Sequence, residues 1–316
     1  MTLTWASGPV SVMVPATSAN LGPGFDSFGL ALTLHDCVMA SVTSGGLDIA
    51  IEGAGADLAG AGEQHLVVRA MRAAFDVLGR QPRGLSIRCQ NDVPHGFGLG
   101  SSAAAIVAGL LAARALAGDE AVAALPDSLV LGLAAELEGH ADNVAACMLG
   151  GLTIAWRPEP PGAAAQAAAP EVAVARLEPH PALVPVVCVP TVPLPTEEAR
   201  QVLPPLVLHA DAAANAARAA LLVAGLTGWP DLLLPGTEDF LHQRYRTDSM
   251  PATTALVARL RTAGIAAAVS GAGPAVLALA ADADEAAAVA SLAAMESDPW
   301  RVLALRVDTV GARLLR

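Results

Sequence analysis

The sequence predicts an α+β fold in two halves. Strand-like and helix-like stretches alternate irregularly, which fits an α+β arrangement better than the regular repeats of a doubly wound sheet. A glycine-rich turn feeds a strand pattern into a long Ala-rich helix pattern at residues 93–117. A run dominated by Pro, Gly and Ala over 157–170 interrupts the chain midway and reads as a flexible loop or hinge. The expected halves are 1–158 and 172–316.

In chain order, residues 10–14 and 30–42 have strand character, separated by a loop at 15–29. A helix is expected over 65–79 and a strand over 85–91. Ser101 opens a helix that Gly118 stops, and a further helix runs over 127–138, with Asp127 as its cap and Gly139 at its end. Residues 152–156 form a short strand. In the second half, 183–189 is apolar and β-branched, and 210–226 is helical. Another helix spans 250–263, with Pro251 in its first turn and Gly264 after it. Strands at 265–269 and 275–280 flank a glycine turn, followed by a helix at 284–295 and a strand at 302–307.

The chain has 316 residues, is 54% apolar and only 15% charged, so it can bury a sizeable core. Its formal net charge of −12 argues against nucleic acid or an anionic membrane as partner. There is no lysine. That excludes a Walker-type phosphate loop and a pyridoxal-phosphate Schiff base. Cys37, Cys89, Cys147 and Cys188 form no close pair, which disfavours zinc and fits reduced thiols in a cytoplasmic protein. No signal-peptide pattern is evident at the N-terminus. The uncharged stretches 96–113 and 263–281 are broken by glycines and read as buried elements.

Four clusters carry chemistry. The first is Pro94-His95-Gly96-Phe97-Gly98-Leu99-Gly100-Ser101-Ser102-Ala103. Its glycines permit sharp turns, and the free N–H groups at a helix start attract anions. It is either a phosphate cradle or a plain strand-to-helix turn. In the second, Asn20 and Asp26 flank a Gly-Pro-Gly turn. They either face a common cavity or tie down their own loop. The third is Glu136-Leu137-Glu138-Gly139-His140-Ala141-Asp142-Asn143, polar residues running into an apolar stretch. A carboxylate there could hold Mg2+ alongside phosphate oxygens. The fourth, Ser270-Gly271-Ala272-Gly273-Pro274, is a second phosphate-facing turn or a hairpin. Arg200 and Arg246 are candidates for an anionic substrate group.

In this order and over residues 10 to about 279, these motifs resemble homoserine kinases, members of the superfamily that includes galactokinase and mevalonate kinase. The resemblance implies a ribosomal-protein-like α+β domain followed by a ferredoxin-like α+β domain, with the active site in the cleft between them. It implies ATP-dependent phosphorylation of the L-homoserine side-chain hydroxyl to O-phospho-L-homoserine, in threonine biosynthesis. Another alcohol kinase of the mevalonate type, or a silent binding protein on the same fold, are the alternatives. ATP would lie along Pro94, Gly96, Gly98, Leu99, Gly100, Ser101, Ser102 and Ala103, with Gly271 and Gly273 nearby. Ser102 and Glu138 would share Mg2+, with Glu136 as the fallback carboxylate. Asp26 would meet the homoserine ammonium and Arg200 and Arg246 its carboxylate; Asn20, His140, Asp142 and Thr196 would line the pocket. Asn143 would sit at the reacting hydroxyl. An amide takes no proton near neutral pH, so the chemistry would rest on positioning. Two departures stand out: Phe97 where the motif is often basic, and Ala146 where Pro is common. A homodimer is left open.

Overall fold

The structure is a computed structural model that describes residues 5–158 and 172–315. The first half contains β1 (Val10–Ala19), β2 (Phe28–Thr43), β3 (Gly46–Gly53), α1 (Leu66–Val77), β4 (Gly84–Asn91), α2 (Ser101–Leu116), α3 (Glu120–Ala124), α4 (Asp127–Glu138), α5 (Asp142–Leu149) and β5 (Leu152–Trp156). The second half begins with β6 (Ala173–Leu177), β7 (Val184–Val189), α6 (Thr196–Gln201), α7 (His209–Thr227), α8 (Leu233–Gly236) and α9 (Pro251–Thr262). Last come β8 (Ala267–Val269), β9 (Val276–Ala280), α10 (Ala283–Ala293), β10 (Arg301–Ala304) and β11 (Arg313–Leu315). Most of the 157–170 run, expected as a hinge, lies outside the described residues.

Two sheets organise these elements. The first runs β11-β1-β2-β4-β3, with β5 paired to β2 and β6 to β5. Only β3 and β4 are parallel in it. The second runs β10-β7-β9-β8 and is antiparallel throughout. The expected α+β class is therefore the observed one. Two strands from beyond residue 172, β6 and β11, are laid into the first sheet.

Several local expectations change. The loop expected at 15–29 is shorter, because β1 continues through Pro15 to Ala19. A register shift between Pro15 and Ala16 lets the strand pass its proline, as bulges do. Asp127 is not the cap of α4: Pro126 holds that position, and the Asp127 carboxylate instead meets Arg114 at 2.6 Å. The short elements α3, α5, α6, β6 and β11 carry too few residues to show a period in sequence.

Helix α2 is buried nearly all round, from Ala103 to Leu116. Gly109 allows its close approach to α1, since a Cβ there would meet the Val67 carbonyl oxygen at 2.6 Å. With α1, α4 and α5 it covers the first sheet. Another apolar cluster joins the two sheets, packing Leu21, Leu30 and Leu99 with Val187, Leu222 and Leu277. That shared core fixes the cleft walls against each other. Among the described residues no helix is long and apolar enough to cross a membrane.

Candidate active site

The cleft is built around the start of α2. Gly98 and Gly100 are both left-handed, at φ 75° and 69°. Neither tolerates a side chain: a Cβ at Gly98 would lie 2.1 Å from the Ser270 oxygen, and one at Gly100 1.9 Å from Thr17 Oγ1. No side chain caps α2. Its first N–H groups, at Ser101, Ser102 and Ala103, have no partner within the helix and suit an anion. Pro94 and Gly96 lead into this turn, and the Gly96 carbonyl accepts from Leu194 N at 3.0 Å. Leu99 is buried, and its carbonyl accepts from Thr17 N at 3.0 Å. Phe97 packs against the core between the sheets, so no cation takes that place.

Ser102 Oγ donates to Glu138 Oε1 at 2.5 Å. Glu138 is buried at the end of α4 whereas Glu136 is exposed, so only Glu138 faces the cleft. Burial pushes the Glu138 carboxyl above its ordinary pKa, against the lowering effect of the Ser102 hydrogen bond. A hydroxyl and a carboxylate are the oxygen donors Mg2+ takes, with phosphate oxygens able to complete its shell. The residues present fit that ion.

Past Gly139 the chain turns into α5. His140 Nδ1 lies 2.5 Å from Asp142 Oδ1, and its Nε2 is 3.9 Å from Glu138 Oε1. Burial alone would lower the His140 pKa, but the Asp142 hydrogen bond and the two carboxylate charges together raise it. Asp142 Oδ1 also accepts from Asn143 N at 2.7 Å. Asn143 is buried, and its Oδ1 accepts from Thr17 Oγ1 at 2.7 Å.

The loop between β1 and β2 supplies the opposite wall. Asn20, Leu21 and Asp26 all adopt left-handed backbone, at φ 67°, 54° and 54°. Such conformations are costly for non-glycine residues and persist where surrounding bonds impose them. Asn20 provides two of those bonds, donating to Gly271 O at 2.8 Å and accepting from Asp26 N at 2.9 Å. It lines the cavity and ties its own loop at once.

Arg200, on α6, meets Asp26 at two points, 2.6 and 3.1 Å. That hydrogen-bonded pairing raises the Arg200 pKa. Arg246 is 1% exposed. Its Nε donates to Ala199 O at 2.9 Å, and its Nη1 contacts His242 Nδ1 at 3.0 Å and Gly271 O at 3.3 Å. His242 Nε2 donates to Gly22 O at 2.8 Å, which leaves Nδ1 free to accept from Arg246. Burial, then the charge of Arg200, brings the Arg246 pKa down to about 10. Thr196 begins α6 and borders the same cavity as Arg200, Arg246 and Asn143.

The turn at 270–274 is the hairpin between β8 and β9. The N–H groups of Gly271 and Gly273 are already spent on Ala19 O and Ser270 O. The hairpin also braces Gly98, with Ser270 Oγ donating to Gly98 O at 2.7 Å.

A second cavity, of about 290 Å³, opens on the other side of Ser101 and Ser102. It is lined by Val14, Val38, Leu58 and Leu66, with His65 and His95 among its polar groups. His65 Nδ1 is buried without a hydrogen-bond partner among the described residues. Burial, then the neighbouring His95, lowers its pKa. Sequence reasoning missed Thr17, His65 and His242, although His95 sits inside the glycine motif. A threonine in a strand and a histidine before an apolar helix carry no local signal.

Fold and cleft define a GHMP-type kinase: residues 65–151 match the GHMP kinases N terminal domain, and residues 210–294 the GHMP kinases C terminal region. The chain is 55% identical over 307 residues to the homoserine kinase of Streptomyces coelicolor, covering 97% of this chain and 94% of that protein. It is 54% identical over 308 residues to that of Streptomyces avermitilis, covering 97% and 95%. The crystal structure of homoserine kinase from Cytophaga hutchinsonii superposes with a TM-score of 0.82 at 26% identity, covering both chains fully. This chain belongs to the homoserine kinase family.

Proposed function

We propose that this protein phosphorylates the side-chain hydroxyl of L-homoserine with ATP, giving O-phospho-L-homoserine for threonine biosynthesis in the cytoplasm. The observation that carries this reading is the charge pattern beside the α2 start. Asp26 stands opposite Arg200, and Arg246 is a buried cation bordering the same cavity. A zwitterion matches that pattern: its ammonium replaces Arg200 at Asp26, while its carboxylate takes the two guanidiniums. An alcohol without an amino-acid head would offer no carboxylate to Arg200 and Arg246 and no ammonium to Asp26.

In this reading residues 1–158 carry most of the nucleotide site and 172–316 complete the substrate site. The apolar cavity at His65 takes the nucleoside, and the neutral imidazole supplies a polar contact for it. The α2 N-terminus at Ser101, Ser102 and Ala103 takes the phosphates. Ser102 and Glu138 would hold Mg2+, which would neutralise charge on the phosphate oxygens. Phosphoryl transfer leans on alignment and charge stabilisation more than on a covalent partner. Asn143 orients the hydroxyl, while His140, Asp142 and Thr196 shape its surroundings. Asn20 acts mainly by holding Asp26.

The test is ADP release with MgATP and a panel of homoserine, mevalonate, galactose and shikimate, with mass spectrometry of the product. Homoserine turnover with phosphate on the side-chain oxygen is expected. Turnover of mevalonate or galactose with none of homoserine would overturn the reading.

A further inference from the structure

Thr17 is fully buried in β1 and touches both sides of the reaction centre. Its backbone N–H donates to the Leu99 carbonyl in the glycine turn at 3.0 Å. Its hydroxyl lies 2.7 Å from Asn143 Oδ1. The same hydroxyl lies against Gly100, where a Cβ would come within 1.9 Å of it. We infer that Thr17 is a positioning residue: its hydroxyl fixes the Asn143 amide so that the NH2 group, and not the carbonyl, faces the acceptor alcohol. The inference rests on the kinase function proposed above.

Chemistry on both sides of Asn143 selects this orientation. An amide oxygen only accepts, so the Thr17 O–H must donate to it. Asn143 Nδ2 then lies 3.5 Å from Asp142 Oδ1, a donor beside a carboxylate. Rotating the amide by half a turn would put its carbonyl oxygen there, against an oxygen that already accepts from Asn143 N and faces His140 Nδ1. That arrangement sets two acceptors together and is disfavoured. Asn143 consequently offers N–H donors to the oxygen of the incoming hydroxyl or of the moving phosphoryl group, and it takes no proton. Because Thr17 is bonded to Leu99 as well, one residue registers the phosphate turn against the group that aligns the acceptor.

The experiment compares Thr17→Val, which keeps shape and removes the donor, with Thr17→Ser, which keeps the donor. For Thr17→Val, kcat per folded molecule should fall roughly 10- to 100-fold, with KM for ATP and acceptor changed by less than about threefold. Thr17→Ser should restore kcat to within about threefold of wild type. Combined with Asn143→Ala, Thr17→Val should add little further loss, because the two residues act as one unit. Wild-type kcat in Thr17→Val, failure of Thr17→Ser to rescue, or full additivity with Asn143→Ala would each overturn the inference. Should Thr17→Val not fold, Thr17→Ala replaces it in the same comparison. All variants are assayed on whichever alcohol the wild type phosphorylates, so failure of homoserine as substrate is read separately.

Discussion

Arg200 and Asp26 stand 174 positions apart in the chain and face each other across the cleft in a two-point ion pair, at 2.6 and 3.1 Å. Both side chains remain about one-third exposed, at 35% and 37%. The pair is therefore open to exchange, and an exposed pair of this kind is weak. A ligand that brings one ammonium and one carboxylate can replace each partner without leaving a charge alone.

That exchange sets the first prediction. Arg200→Ala and Arg246→Ala should each weaken homoserine use by roughly tenfold to a few hundredfold, since a charge-assisted bond contributes about 1.5–3 kcal/mol. The KM for ATP should move little. Steady-state kinetics with each substrate varied in turn checks this, and a change confined to ATP would assign that arginine to the nucleotide.

The buried position of Glu138 sets the second. Glu138→Gln should cost far more turnover than Glu136→Gln, because Glu138 contacts Ser102 at 2.5 Å while Glu136 is exposed. Titrating Mg2+ should show a raised metal requirement in Glu138→Gln alone. Greater damage in Glu136→Gln would reverse the metal assignment.

A third concerns the proton. His140 sits between Asp142 and Glu138, and their hydrogen bond and charges outweigh burial to raise its pKa above the ordinary value. The imidazole then keeps its proton to higher pH than an ordinary histidine. His140→Gln should keep substantial turnover, while Asn143→Ala should lose up to about 100-fold as the hydroxyl drifts out of line. Turnover against pH at saturating substrates, for wild type and both variants, decides it. A dead His140→Gln enzyme that still binds homoserine normally would make His140 the base.

The fourth concerns stability. Asp308 accepts from the backbone N–H groups of Val310 and Gly311 and contacts His35 at 2.6 Å. Burial opposes ionisation, but these bonds prevail and hold its pKa at about 2, against an ordinary value of 3.8. A folded-state pKa below the unfolded one stabilises the protein above the unfolded value. That contribution, about 2 kcal/mol, is lost as pH falls from about 4 through about 2. Thermal melts should therefore show Asp308→Asn destabilised at pH 7, with the gap to wild type closing toward pH 2. A gap that stays constant with pH would assign the effect to lost shape rather than to charge.

The motif segments were legible because each is nearly contiguous. The Gly96–Gly98–Gly100 spacing followed by Ser101 states a turn into a helix start, and that is where α2 begins. Helix α4 was read with its observed bounds because it is long, apolar and ended by Gly139. The start of α5 was not, since its eight residues begin among polar side chains that look like a solvated turn. The β1 extension past Pro15 was hidden because a proline in a strand is legible only with its bulge and partner strand.

By itself the sequence determined the α+β class, the absence of lysine chemistry and a glycine turn into a helix start at Ser101. These follow from local spacing and residue type, which act over one or two turns of chain. Tertiary structure alone decided their partners. It set Arg200 against Asp26, placed the hydroxyl of Thr17 on Asn143, and spent the N–H groups of Gly271 and Gly273 within the protein. It also chose Glu138 over Glu136, since burial depends on which face of α4 meets α2. Hydrogen bonds and ion pairs depend on separations of a few ångströms between residues far apart in the chain, and only the packing of the two sheets on a shared core fixes those distances.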